Sequence, residues 1–74
     1  MIRYSNLSGD SGVVSYEIET DSIVIEFDSG MRYVYNHLKP GRAQVEEMKR
    51  LAVSGRGLNS YIVRRVGKNF YRKF

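Results

Sequence analysis

The sequence predicts a single α+β domain over residues 1–74. A three-stranded antiparallel β-meander is packed by one α-helix and followed by a short basic C-terminal segment. Three observations lead to this prediction. Apolar and polar residues alternate in three short runs, which is the period of half-buried strands. Apolar residues then recur at helical spacing between Pro40 and Ser54. After Glu47 the chain carries many basic residues and no acidic ones.

The composition is that of a small globular protein. Of the 74 residues, 42% are hydrophobic and 27% are charged. The absence of cysteine excludes disulfides, thiolate nucleophiles and cysteine-based zinc sites, and we expect a reducing, cytoplasmic setting. The first ten residues lack the apolar region of a signal peptide. No apolar run approaches the roughly 20 residues that span a bilayer, so we expect no membrane association.

The three alternating runs are Val13–Ile18, Ile23–Phe27 and Met31–Tyr35. Turn-forming residues separate them at positions 19–22 and 28–30. Strands joined by such short turns form an antiparallel meander.

The apolar pattern also predicts which residues pair. A three-residue loop with Gly30 in the left-handed conformation sets apolar residues opposite apolar ones and a glutamate opposite an arginine. The expected pairs are Phe27–Met31, Glu26–Arg32, Ile25–Tyr33, Val24–Val34 and Ile23–Tyr35, preceded by Ile18–Ile23, Tyr16–Ile25 and Val14–Phe27. Nine apolar residues then share one face, beneath the helix. In this register Tyr33 and Tyr35 are interpreted as core aromatics in preference to a stacking platform for bases.

The segment from Pro40 to Ser54 predicts the helix that covers this face. Pro40 suits a first helical turn and Gly55 suits a stop. The acidic pair at 46 and 47 comes early and the basic pair at 49 and 50 comes late, an order that complements a helix dipole. The residues that should face the sheet are Val45, Met48, Leu51 and Ala52.

The C-terminal segment has two interpretations. Leu58, Tyr61, Ile62 and Arg65 fit a short helix, whereas 61–63 has strand propensity. We favour a short helical turn followed by an extended end over 70–74. Phe70 either pins this end onto the sheet or serves as a stacking surface, and packing is the favoured role.

Charge is divided unevenly along the chain. The net charge of +4 arises from four basic and eight acidic residues up to Glu47, a net of −4, and eight basic residues with no acid from Met48 onward, a net of +8. Interleaved cations and aromatics suit nucleic acid, because cations bind phosphates and rings stack on bases. The candidate phosphate contacts are Lys49, Arg50, Arg56, Arg64, Arg65, Lys68, Arg72 and Lys73, and the candidate stacking residues are Tyr61 and Tyr71.

Catalysis has little support in the sequence. His37 is the single histidine, and no serine has a base at a recognisable spacing. No His/Asp/Glu spacing predicts a metal site. The run Gly55-Arg56-Gly57 could let an arginine reach a phosphate, although a helix cap followed by a turn is the favoured interpretation. We expect no enzyme activity, no cofactor, no metal and no small-molecule substrate.

Several motifs together resemble the KTSC domain, a small module named for the C-terminus of some lysyl-tRNA synthetases and also found as free-standing bacterial proteins. The family's Tyr-X-Tyr matches Tyr33-Val34-Tyr35, and its glycine-then-aromatic-Asn-x-x-Ile segment matches 55–62. Gly57 and Leu58 stand where aromatics are usual in the family. The resemblance runs from about Ser5 onward. The family has no established activity, and RNA binding has been suggested for it, largely through its association with a tRNA-charging enzyme.

Two functions follow as expectations. The first is a small non-enzymatic module that binds RNA or another nucleic acid through its basic C-terminal half. The alternative is a protein–protein interaction module that docks on an acidic partner, with an exposed sheet edge as one route.

Overall fold

The computed structural model describes residues 1–7, 9 and 11–74. Over these residues an antiparallel sheet of five strands, which lie side by side in chain order, is packed by helices. The α+β class and the antiparallel sheet confirm the prediction, and the sheet extends the predicted three-stranded meander by one short strand at each edge. The elements are β1 (Ile2–Arg3), β2 (Val13–Ile18), β3 (Ser22–Phe27), β4 (Arg32–Asn36), α1 (Arg42–Ser54), α2 (Leu58–Tyr61), a π-helical segment (Ile62–Val66) and β5 (Arg72–Lys73).

The hairpin of β3 and β4 has the predicted register. Ile23 pairs with Tyr35 and Ile25 with Tyr33, while the opposite face sets Glu26 against Arg32. The two charged side chains of that last pair lie 3.9 Å apart. Gly30 has φ +90°, the left-handed conformation that the three-residue loop requires.

The hairpin of β2 and β3 departs from prediction at its far end. Ile18–Ile23 and Tyr16–Ile25 pair as expected, but a β-bulge lies between Val13 and Ser15. Val13, not Val14, therefore lies opposite Phe27 and enters the core, so the predicted Val14–Phe27 pair was wrong. Val13 is 3% exposed and Val14 is 43% exposed. The extra residue of a bulge reverses the alternation of faces beyond it.

Helix α1 packs against β3 and β4 with the predicted face. Val45, Met48 and Ala52 are buried, and Leu51 packs at their margin. The helix begins at Arg42, later than predicted, because Pro40 belongs to the preceding turn, where it forms a bridge with Asn36. Gly55 ends the helix in the left-handed conformation, with φ +77°.

The predicted match between charges and the dipole of α1 was wrong. With the helix spanning 42–54, the two glutamates lie outside its first turn and the two cations outside its last turn. The charges pair with each other instead, one turn apart, as Glu46–Lys49 and Glu47–Arg50.

Beyond α1 the chain closes the core and returns to the sheet. Leu58, Ile62 and Val66 are buried, and β5 pairs with β4 at the sheet edge opposite β1. The short helical turn and extended end expected for this segment are both present, the latter as β5. No helix among the described residues has the length and apolar character needed to cross a membrane.

Candidate nucleic-acid interface

A cleft of about 350 Å³ lies between strands β3–β5 and the segment 62–70. We name it the aromatic cleft because four rings contribute to its wall. Its lining residues are Phe27, Ser29, Tyr33, Tyr35, Ile62, Gly67, Lys68, Phe70 and Lys73. Aromatic and cationic side chains therefore meet in one concave site.

Tyr33 is the central ring of the aromatic cleft. The Phe27 and Phe70 rings meet it edge-on, with centroids 5.2 Å and 4.9 Å away. Tyr35 lies nearly parallel to Tyr33, with a centroid separation of 6.4 Å. These contacts confirm that Phe70 packs onto the sheet and that both tyrosines face inward. They also show Tyr33 only partly buried, so its ring contributes to the cleft surface as well as to the core.

Tyr35 is the deepest of the four rings, at 2% exposure. Burial, with the neighbouring Tyr33 as a smaller cause, raises the pKa of Tyr35 to about 12. The side chain therefore remains a neutral phenol throughout the physiological pH range, and the cleft floor carries no negative charge from it.

Local backbone geometry brings the two lysines to the aromatic cleft. The π-helical segment ends at Gly67, whose φ of +59° turns the chain back toward the sheet. This turn places Lys68 and Phe70 on the cleft. In β5, Lys73 pairs with Tyr33, so both side chains leave the same face of the sheet. The Lys73 Nζ lies 5.9 Å from the Phe70 ring centroid, a cation–π arrangement.

Two of the eight predicted cations are held by carboxylates. The Lys49 side chain is only 13% exposed and its Nζ contacts Glu46 Oε2 and the Thr20 carbonyl oxygen, both at 2.9 Å. The Arg50 Nε donates a 2.9 Å hydrogen bond to Glu47. These contacts lower the pKa of Glu47 and raise that of Arg50. The positive charges of Lys49 and Arg50 are therefore compensated by glutamates of α1.

The other six predicted cations form no ion pair with a described residue. They do not share one surface. Arg72 pairs with Val34 and so lies on the opposite face of β5 from Lys73, with its guanidinium 5.4 Å from the Phe74 ring centroid. Arg64 and Arg65 are exposed on the π-helical segment, outside the cleft lining.

Arg56 lies apart from the rest. The carbonyl of the preceding Gly55 accepts a 2.8 Å hydrogen bond from the Leu7 amide. This contact ties the loop to the N-terminal segment that follows β1, the sheet edge remote from β5. The structure therefore brings Lys68 and Lys73 together and leaves Arg56 on another side of the molecule.

The predicted stacking residues lie outside the aromatic cleft. Tyr61 packs against the core, and Tyr71 is 54% exposed next to Phe70. The rings that form the cleft are those of Phe27, Tyr33, Tyr35 and Phe70, which the sequence interpretation assigned to packing. The alternation of β4 shows which face Tyr33 occupies. If β5 had been recognised as the neighbouring strand, that alternation could have placed Tyr33 next to Lys73.

His37 lies in the connection between β4 and α1, outside the aromatic cleft. Its Nε2 is 2.9 Å from Glu46 Oε2. Contacts with His37 first and Lys49 second lower the pKa of Glu46. Within the described ranges, no three His, Cys, Asp or Glu side chains cluster as metal ligands would.

Comparisons of this chain with protein-family models, curated proteins and solved structures give no match. The fold and the site define a small α+β protein with a cation-flanked aromatic cleft. The resemblance to the KTSC domain stays a prediction.

Proposed function

We propose that this protein is a small non-enzymatic module, KTSC-like in kind, that binds RNA through cations of its C-terminal half, which lie on more than one face of the molecule. One observation carries the proposal: no acidic residue follows Glu47, and six cations there form no ion pair with a described residue. They are Arg56, Arg64, Arg65, Lys68, Arg72 and Lys73.

Uncompensated surface cations favour a polyanionic ligand. Each cation that contacts a phosphate releases a condensed counterion, which contributes binding free energy that falls as salt rises. Lys49 and Arg50 contribute little to this proposal because glutamates already neutralise them.

An acidic protein partner is the second candidate. Val63 and Tyr71 are exposed and each is followed in the sequence by an arginine, and exposed apolar or aromatic side chains next to arginines suit protein interfaces. Addition of a partner strand is the less supported route, because β1 and β5 are each two residues long and charged. Short, charged edge strands discourage pairing with another chain.

The test is filter binding to tRNA and to single-stranded RNA across a salt series. We expect affinity that falls steeply with salt. In the double variant Arg64→Gln/Arg65→Gln, the slope of the logarithm of the binding constant against the logarithm of the salt concentration should be shallower by about 1.5. The matched control is Arg50→Gln, whose wild-type charge is already paired, and it should change the slope less. Undetectable binding at low salt, or binding indifferent to salt, would overturn the proposal.

The two candidates separate in a pull-down after nuclease treatment. Loss of all bound material supports RNA. Retention of a discrete acidic protein supports the second candidate.

A further inference from the structure

We propose that the aromatic cleft holds one unpaired base of a bound RNA strand, with the adjoining phosphates on Lys68 and Lys73. This inference rests on the proposed function and specifies the ligand at one part of the surface.

The size of the cleft fits a single nucleobase. Its volume of about 350 Å³ lies near the lower end of the range, about 300–1,000 Å³, that small-molecule sites occupy. A base within a duplex is stacked on both faces and cannot enter such a cleft. Single-stranded loops and ends can present a base to it.

The ring arrangement provides the apolar surface that a base needs. Phe27, Tyr33 and Phe70 are all partly exposed, although the side chains beneath them, Tyr35 and Ile62, are buried. The partly exposed rings thus present apolar surface to the cleft above a buried floor. Stacking on aromatic rings is the general means by which proteins hold unpaired bases.

The charges at the cleft favour a nucleotide over an uncharged occupant. Lys68 and Lys73 both line it, and neither has a carboxylate partner among the residues that the structure describes. An apolar side chain of a partner protein would leave both ammonium groups uncompensated. A nucleotide joins an aromatic base to an anionic phosphate within one unit, so it satisfies the rings and the lysines together.

Phe70→Leu tests the base contact, with Phe74→Leu as its matched control. Both side chains are phenylalanines of the C-terminal segment, but Phe74 is 55% exposed and lies outside the cleft lining. We expect Phe70→Leu to weaken binding of a single-stranded oligoribonucleotide about tenfold at every salt concentration, with an unchanged salt slope. Binding of an RNA duplex should be unaffected, and Phe74→Leu should behave as wild type.

Adenosine monophosphate and adenosine separate the two halves of the inference. In NMR titrations of the wild-type protein, the monophosphate should shift the ring protons of Tyr33 and Phe70, and adenosine should do so more weakly. Lys68→Gln should reduce that difference, and Lys68→Gln/Lys73→Gln should remove it. This readout needs no variant of the packed rings, so a folding defect of Phe70→Leu leaves the inference testable.

Three results would overturn this inference. The first is equal loss of affinity in Phe70→Leu and Phe74→Leu. The second is binding of single-stranded RNA with unchanged NMR signals of the Tyr33 and Phe70 ring protons. That result leaves the proposed function intact but shows that the RNA does not occupy the cleft. The third is equal binding of adenosine and its monophosphate, which would show that the lysines do not contact the phosphate. Absence of any RNA binding overturns the proposed function itself.

Discussion

Gly55→Ala should destabilise the fold at the junction between α1 and the N-terminal segment. Gly55 has φ +77°, and a Cβ built there would lie 2.7 Å from the Ser5 Cβ. Side-chain atoms do not approach so closely without a shift of the surrounding structure. The substitution therefore carries two costs, one from backbone conformation and one from the collision.

Gly57→Ala separates the two costs. Gly57 has nearly the same conformation, φ +83°, but its Cβ would meet only the Leu51 Cδ2 at an ordinary 3.7 Å. The left-handed conformation costs a residue with a Cβ about 1–2 kcal/mol, and both variants should lose this amount. Relief of the collision in Gly55→Ala requires the loop to move from Ser5. That movement strains the 2.8 Å bond from the Leu7 amide to the Gly55 carbonyl, worth about 0.5–1.5 kcal/mol.

We therefore expect Gly55→Ala to lower the free energy of unfolding by about 2–3 kcal/mol, and Gly57→Ala by about 1–2 kcal/mol. Urea unfolding followed by far-UV circular dichroism measures both, and the denaturant slope m should stay constant. In the double variant Ser5→Gly/Gly55→Ala the collision is absent, so the excess loss should be recovered. Equal destabilisation by the two alanines, or no recovery with Ser5→Gly, would refute the reasoning.

Three further predictions concern the core and the loss of stability at acidic pH. Val13→Ala should cost about 2 kcal/mol in urea unfolding because Val13 is buried, whereas Val14→Ala on the bulge should change stability little; the reverse order would contradict the bulge. Leu58→Ala, at a fully buried site, should cost about 2–5 kcal/mol by the same measurement, and a loss below 1 kcal/mol would mean that the site collapses or is not core. The folded-state pKa of Glu46 is lowered, so its contribution is present above the pKa of an unfolded glutamate and is lost as pH falls through the folded value. Glu46→Gln should therefore flatten the decline of melting temperature below the ordinary glutamate pKa, with Glu17→Gln as an exposed control; an unchanged profile would remove Glu46 from the acid response.

The central hairpin was predictable because both of its faces constrain the register. With Glu26 opposite Arg32 and Ile25 opposite Tyr33, a shift by one residue would place charge against apolar surface on both sides of the sheet. The buried face of α1 was predictable for a related reason, since Val45, Met48 and Ala52 recur at helical spacing.

An extended end over 70–74 was predictable, but strand β1, the pairing of β5 with β4 and the bulge were not. β1 and β5 contain two residues each, too few to show a period, and they are strands only because neighbouring strands offer unpaired backbone groups. At the bulge, Val13 and Val14 have identical side chains, so alternation alone could not show which of them is buried.

For the candidate site, part of the charge distribution could have been seen in advance. Spacings of three residues between Glu46 and Lys49, and between Glu47 and Arg50, predict pairs along one helix. The aromatic cleft could not be predicted from the sequence. It depends on a turn at Gly67 and on the pairing of Tyr33 with Lys73, residues that lie 40 positions apart in the chain.

The shortness of β5 has a consequence for motion. Backbone hydrogen bonds of 2.8 Å, from the Tyr71 amide to the Val34 carbonyl and in both directions between Arg32 and Phe74, flank the short pairing of β5 with β4 and hold this end of the chain to the sheet. Separation of these few bonds opens one wall of the aromatic cleft without disturbing β2 or β3. Such local opening costs less free energy than global unfolding, so the amides of Tyr71 and Phe74 exchange with solvent before those of the central strands. An occupant of the cleft that contacts Lys73 is thermodynamically linked to this closure, and its binding slows the exchange of the same amides.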